Sequence, residues 1–364
     1  MRLGWLEATD FRSYRHVEFR PDPGVNVLVG DNGSGKTSLL EAIGYLATLT
    51  SFRRSPDAAL TRDGAAAAIV RGEWARQDRS VRVEVEIPQT GRRRALLNGK
   101  RLPGRSLLAE VVGLVTFLPD DLDLVKRGPA LRREYLDDAA AQLWPAAAAD
   151  QADYERVLRQ RNALLRREGR RADRTTLDVW DDRLALLGAR VAGRRLEALE
   201  SLGPRIDVLY AGLVVAPEPV RWEYIGGGIG RVEAADGLME RLAGAIAAAR
   251  EDDLERRATT VGPHRDEVVF TLGGRDVRSR ASQGEQRSVA LGMRMAAYEA
   301  LREQRGVPPV LVLDDVFSEL DVHRSARLVE RLPAGQVFVT TARREEVPLE
   351  GTVWSVGGGS VGAW

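Results

Sequence analysis

The strongest constraint on the fold is one turn: residues 30–37 read Gly30-Asp31-Asn32-Gly33-Ser34-Gly35-Lys36-Thr37. An apolar run at 25–29 leads into it, and apolar residues at helical spacing follow over 39–49. Strand, glycine-rich turn and helix in that order form a phosphate-binding loop. Glycines let backbone amides curl around a polyphosphate, a lysine reaches its terminal groups, and the hydroxyl of Thr37 can hold Mg²⁺. The chain therefore opens as an α/β nucleotide-binding fold, with ATP and Mg²⁺ as the expected ligands.

Further along, residues 67–87 alternate as strands do, with Val81, Val83, Val85 and Ile87 on one face. Asn98-Gly99 breaks the next apolar stretch as a tight hairpin would, so antiparallel sheet joins the opening unit. Over 122–257 the chain turns rich in Ala, Leu, Arg and Glu and poor in β-branched residues, which predicts helices. Gly203-Pro204, Pro217, Pro219 and residues 226–228 punctuate this stretch, making it too short and too broken for a long coiled-coil arm. Residues 268–277 predict a hairpin around Gly273-Gly274. A helix over 285–305 and strands at 310–313 and 337–339 follow. Residues 357–359 form a glycine-rich tail.

Composition excludes several classes of function. The chain has no cysteine, so disulfides and thiolate metal sites are ruled out, and a reducing cytosol fits. His16, His264 and His323 lack metal-ligand spacing. Glu7 and Asp10 interrupt the first eleven residues where a signal peptide needs an apolar core, and no stretch is long enough to span a bilayer. We therefore expect a cytoplasmic protein without membrane contact. With 54 basic and 53 acidic residues, attraction to a polyanion has to come from local clusters.

The apolar strand at 310–313 delivers Asp314-Asp315 at its carboxyl end, where open α/β sheets place their ligands. Asp314 is the candidate metal carboxylate. Asp315 is the candidate for polarising an attacking water, one methylene shorter than the glutamate usual in transporter ATPases, which predicts slow intrinsic hydrolysis. Ser282-Gln283-Gly284-Glu285-Gln286 begins a helix 32 residues upstream of Asp314. Ser-x-x-Glu is also a capping box, so helix stability alone accounts for Ser282 and Glu285. Capping does not require Gly284, whose missing side chain lets a phosphate approach the helix start.

These five residues resemble the ABC signature in its SMC-like DNA-repair variant. That resemblance implies an ATP-dependent head-to-head homodimer, in which Ser282, Gly284, Glu285 and Gln286 of one copy close over the nucleotide held by the loop of the other. Ser318-Glu319-Leu320-Asp321 looks like the D-loop of the same interface, with Asp321 as a nucleotide-side contact. Thr341 stands where many relatives carry a switch histidine, and no Q-loop glutamine lies in 117–121.

Phe11-Arg12-Ser13-Tyr14, Gly128-Pro129 with Arg132-Arg133 and Leu136-Asp137, and Gly262-Pro263-His264-Arg265-Asp266 together resemble the RecF family of bacterial recombination mediators, from the first strand to about Thr341. The resemblance implies ATP-dependent binding of duplex DNA beside single-stranded gaps, without sequence preference, and loading of RecA together with RecR and RecO. It also places Arg12 near the nucleotide; its other reading is a surface arginine after a strand. Arg53 and His264 are further candidates without a derived mechanism. Arg156, Arg159, Arg161, Arg166, Arg167, Arg170 and Arg171, and separately Arg92, Arg93, Arg94, Lys100 and Arg101, are clusters that could meet phosphates. Both clusters also read as solvated faces.

The fold class expected is α/β: an ABC/SMC-type P-loop ATPase head with mixed sheet, built from residues 1–120 and 259–364, with a mainly helical lobe at 121–258 inserted. ATP hydrolysis then acts as a timing switch. The alternatives are the ATPase subunit of a membrane transporter, opposed by the altered signature and Asp315, and a small-molecule kinase, which leaves the signature without a purpose.

Overall fold

The computed structural model describes residues 1–76, 79–102, 105–332 and 335–364. Strands are β1 (Arg2–Phe11), β2 (Tyr14–Phe19), β3 (Val25–Val29), β4 (Ala67–Arg76), β5 (Arg79–Pro88), β6 (Arg94–Leu97), β7 (Lys100–Arg101), β8 (Leu114–Phe117), β9 (Val220–Gly226), β10 (Gly230–Val232), β11 (Glu267–Leu272), β12 (Arg275–Asp276), β13 (Val310–Asp314), β14 (Val337–Thr341), β15 (Thr352–Gly357) and β16 (Ser360–Ala363). Helices are α1 (Lys36–Thr48), α2 (Arg105–Val111), α3 (Leu122–Lys126), α4 (Pro129–Leu143), α5 (Pro145–Glu168), α6 (Arg174–Leu213), α7 (Leu238–Ala248), α8 (Arg250–Arg256), α9 (Val277–Arg280), α10 (Gln283–Arg305) and α11 (Val322–Val329). The chain divides into two compact units, one of residues 1–121, 212–214 and 297–364, the other of 122–211 and 215–296. These limits differ from the three expected segments: residues 259–296 lie in the second unit, because β11 completes a sheet with β9 and β10.

The first unit holds two six-stranded sheets. One is antiparallel, ordered β2-β1-β4-β5-β6-β7, and its Asn98-Gly99 turn has positive φ at both residues (50° and 74°), the backbone that this dipeptide adopts readily. The other is ordered β16-β15-β3-β14-β13-β8 and is parallel except for β16. Its central strands β13 and β14 are buried at every residue, which accounts for their unbroken apolar runs. Helix α1 packs against strands of both sheets, so Leu39, Leu40, Ile43, Tyr45 and Leu46 are all buried in the core. The glycine-rich tail is a sheet edge: β15 pairs in parallel with β3, and Gly358 and Gly359, both at positive φ, turn the chain into β16.

The second unit is helical apart from a four-stranded antiparallel sheet ordered β10-β9-β11-β12. Strands β9 and β10 fall inside the segment expected to be mainly helical. Val220 and Tyr224 face inward from β9, and the glycines at 226–228 form its hairpin turn. The expected break at Gly203-Pro204 is also absent, since Pro204 lies inside α6. Proline there removes one helical hydrogen bond, a cost of about 3 kcal/mol. Burial of Leu199, Leu202, Ile206, Leu209 and Tyr210 on either side offsets it.

Candidate nucleotide site

Register alone brings the phosphate loop and the acidic pair to one sheet edge. Val29 pairs with Thr341 and Thr340 with Asp314, so the loop after β3, the acids ending β13 and the threonines ending β14 leave the parallel strands together. Gly33 and Gly35 take positive φ (82° and 111°), and Gly35 begins α1 without a side-chain cap, leaving the first amides of the helix open to an anion. Tyr14 donates its hydroxyl to the Gly35 carbonyl at 3.1 Å. A Cβ on Gly35 would lie 2.8 Å from that hydroxyl. At Gly30 a Cβ would lie 2.2 Å from the Val356 carbonyl oxygen, so β15 limits this position to glycine.

Two observations show that the loop suits a phosphate group. Lys36, 8% exposed, donates its ammonium to the loop's own carbonyls, at 2.5 Å to Gly30 and 2.9 Å to Asp31. Ser34 Oγ is buried and has no hydrogen-bond partner among the described residues. Burial lowers the Lys36 pKa, while Asp315, Asp314 and Asp31 act against that shift. Asp31 and Asn32 are exposed at the turn.

Asp314 Oδ1 accepts from Thr37 Oγ1 at 3.0 Å and from Thr340 Oγ1 at 2.7 Å. Burial pushes its carboxyl up, opposed by those two hydroxyls. Asp315 follows at positive φ (51°), a strained setting for a residue other than glycine, and its pKa is also raised, first by burial. Among the described residues no three His, Cys, Asp or Glu side chains gather as a metal cluster. Thr37 with Asp314 is the kind of partial oxygen set that Mg²⁺ uses when substrate phosphates complete its shell.

Arg12 pairs with Glu41 of α1, the helix that the phosphate loop opens. At positive φ (51°), it donates Nε to Glu41 Oε2 (2.7 Å) and Nη2 to Glu41 Oε1 (2.8 Å) and Ser55 Oγ (2.5 Å). Nη1 reaches the Ala59 carbonyl at 2.9 Å. Arg12 thus ties α1 to the loop that follows it, and Ser51 Oγ adds a hydrogen bond to the same buried Glu41. Arg53 is exposed, and its positive charge partly counters the rise at Asp314. Thr341 Oγ1 bonds to Glu346 Oε2 (3.1 Å) and accepts the Arg343 amide (3.1 Å). Asp321 caps α11 through the Arg324 amide (2.8 Å), and Val322 beside it is 83% exposed.

The signature segment belongs to the second unit, and its capping box is formed. Ser282 N donates to Glu285 Oε2 at 2.6 Å and Glu285 N to Ser282 Oγ at 3.3 Å, while Ser282 itself is exposed. These bonds hold the Glu285 carboxyl below its ordinary value. Gln286 is turned inward, donating Nε2 to the carbonyls of Val277 (2.9 Å) and Arg278 (3.1 Å). Gly284 lies in the first turn of α10.

Several motifs noted in the sequence serve the interior of the second unit. Arg195 grips Asp137 with two hydrogen bonds (2.7 and 2.8 Å) and reaches Asp266 Oδ2 (3.1 Å) and the Pro263 carbonyl (2.7 Å). Asp266 also accepts from Tyr224 and from the Gly227 amide. Arg132 holds Glu267 in a bidentate pair, and Arg133 donates to the Asp266 carbonyl. His264 joins Tyr154 (2.7 Å) and the Thr259 carbonyl (3.1 Å). Arg195 and Tyr224 belong to no local sequence pattern, because their partners are remote in the chain.

Arg161 corrects the basic cluster proposed for DNA. It is fully buried, bonding to Asp181 (2.7 Å), Asp253 (2.7 Å) and Thr259 (2.8 Å). It lies on the inward stripe of α5 with Tyr154, Val157 and Leu165, at the i+3 and i+4 spacing of a core face. The other six arginines of that cluster are exposed, and Arg156, Arg159, Arg167 and Arg170 pair with nearby carboxylates. In the second cluster Arg93 bonds Asp57 at 2.9 Å, and Arg92, Arg94, Lys100 and Arg101 are exposed.

The mixed two-sheet unit and its phosphate loop define an ATPase head of the SMC type. A family model described as "RecF/RecN/SMC N terminal domain" matches residues 2–356. The DNA replication and repair protein RecF of Streptomyces avermitilis is 44% identical over 372 residues, covering 99% of both chains. RecF of Frankia alni is 44% identical over 377 residues, again covering 99% of both. A solved structure described as "the recombination mediator protein RecF-ATP in RecFOR pathway" superposes with a TM-score of 0.91 at 29% identity, covering 100% of this chain and 99% of that one. An SMC head bound to a winged-helix domain of ScpA, at TM-score 0.58 and 18% identity, shares the fold. The chain belongs to the RecF family of DNA replication and repair proteins. Among the described residues no helix is long and apolar enough to cross a membrane.

Proposed function

We propose that this chain is an ATP-dependent DNA-binding protein of recombinational repair, whose nucleotide sites are completed when two copies meet head to head. The observation that carries it is the presence, in one RecF-family chain, of a phosphate loop with a buried Ser34 hydroxyl that has no partner among the described residues, and a signature turn whose Ser282 is exposed. The amides of residues 30–37, Ser34 and Lys36 would hold the phosphates of ATP, and Thr37 with Asp314 would hold Mg²⁺. When bound, that nucleotide supplies a phosphoanhydride whose cleavage separates two states of the dimer. Asp315 orients water, and its strained backbone and short side chain fit slow turnover. Ser282, Gly284, Glu285 and Asp321 face the nucleotide of the other copy, while Gln286 braces the turn from within. Arg12 serves the site through Glu41, fixing the start of α1.

The partners proposed are duplex DNA beside single-stranded gaps, RecR, RecO and RecA. The family's naming in DNA replication and repair, and the relative solved in the RecFOR pathway, support them over a transporter or kinase role. Differential stability of the ATP-bound and hydrolysed dimers is enough to time DNA release. Sedimentation of the wild type and Lys36→Met, with and without ATP and Mg²⁺ and then with gapped duplex, tests the reading. A dimer that forms with ATP in the wild type only, and that carries DNA, is expected. A wild-type monomer at saturating ATP and DNA would overturn the composite site.

A further inference from the structure

Thr340, next to last in β14, lies directly opposite Asp314 and is 1% exposed. Its single hydroxyl contacts both members of the acidic pair. The Asp315 amide can only donate, so at 2.9 Å Thr340 Oγ1 accepts from it. The hydroxyl proton is then free for Asp314 Oδ1, 2.7 Å away. Thr37 Oγ1 is the other group bonded to that carboxylate among the described residues.

The geometry points to Thr340 as a positioning residue that sets the Asp314 carboxylate for Mg²⁺ and, by the same hydroxyl, holds Asp315 at its left-handed backbone. This rests on the reading of Thr37 and Asp314 as the Mg²⁺ ligands. Thr37 is itself one of those ligands, so Thr340 is the anchor of Asp314 that does not depend on the metal. Asp315 needs such a hold, because a non-glycine residue at positive φ persists only where its surroundings impose it. The neighbouring Thr341, at the position of a switch histidine, bonds instead to Glu346 and the 343 backbone, leaving Thr340 as the threonine of this strand end that addresses the acids.

The test is equilibrium binding of a fluorescent N-methylanthraniloyl-ATP across a Mg²⁺ titration, for wild type, Thr340→Val, Thr340→Ala and Thr340→Ser. Thermal unfolding without nucleotide identifies any variant that does not fold, and the alanine variant carries the comparison if the valine one fails. We expect Val and Ala to need roughly tenfold or more Mg²⁺ for half-maximal effect, as loss of a group supporting a metal ligand commonly brings. Metal-free nucleotide affinity should be unchanged, and Ser should restore the wild-type Mg²⁺ response. A wild-type Mg²⁺ response in both the Val and Ala variants, or weakening that is equal with and without Mg²⁺, overturns the role of Thr340 alone. Wild-type binding indifferent to Mg²⁺ overturns the ligand reading of Thr37 and Asp314, and the proposal with it.

Discussion

Replacing Arg161 with methionine separates a structural arginine from a DNA contact. The guanidinium is fully buried between Asp181 and Asp253. Removing one partner of a buried ion pair costs about 3–5 kcal/mol, because the remaining charge is left without compensation. The lower end applies here, since Asp181 keeps Arg250 at 2.6 Å and Asp253 keeps the Thr260 amide and hydroxyl at 2.8 and 2.6 Å. At about 3 kcal/mol, and roughly 2–4 °C per kcal/mol for a unit of this size, calorimetry should show a fall of roughly 6–12 °C. Arg159→Met is the control: its pair with Glu155 spans 3.5 Å at the surface, where such contacts contribute at most about 1 kcal/mol. Binding of gapped duplex across a salt series completes the assay. A phosphate contact would lower the salt slope by about 1 with little change in melting. If Arg161→Met melted within about 2 °C of wild type and the slope dropped, the buried network would be refuted as the reason for this residue.

Gly30→Ala should fold but bind ATP more weakly. Its Cβ would meet the Val356 carbonyl at 2.2 Å, overpacking of a kind that costs roughly 1–3 kcal/mol, and nucleotide titration beside circular dichroism would show whether the loop bears it. His264 has its pKa lowered from 6.5, mainly by burial. The unfolded chain therefore binds the extra proton first, and wild-type stability should drop as pH falls below about 6.5, by at most about 1.4 kcal/mol per pH unit until the folded pKa is passed. His264→Gln should lack that component in denaturant midpoints taken between pH 7.5 and 5.5; an unchanged pH slope would count against it.

What could be read from the chain directly was short in range. Strand, glycine turn, lysine and helix at 25–49 are set by neighbours, as are the Asn98-Gly99 turn and the capping box at Ser282 and Glu285, because φ preferences and first-turn hydrogen bonds act over a few residues. The apolar run before Asp314 announced a buried parallel strand for the same reason. Pairing across the fold decided the rest. Arg12 showed nothing in sequence of its pairing with Glu41, 29 residues further along the chain on the helix that the phosphate loop opens. Arg161 looked like one more solvated arginine, although its place on the Tyr154, Val157 and Leu165 stripe was a usable sign of burial. Thr340 showed nothing in sequence of its hold on both acids, and the glycine-rich tail gave no hint that Val356 closes over Gly30. A buried charge or hydroxyl is specified by the group that satisfies it, and for these residues that group arrives only when distant strands and helices pack together.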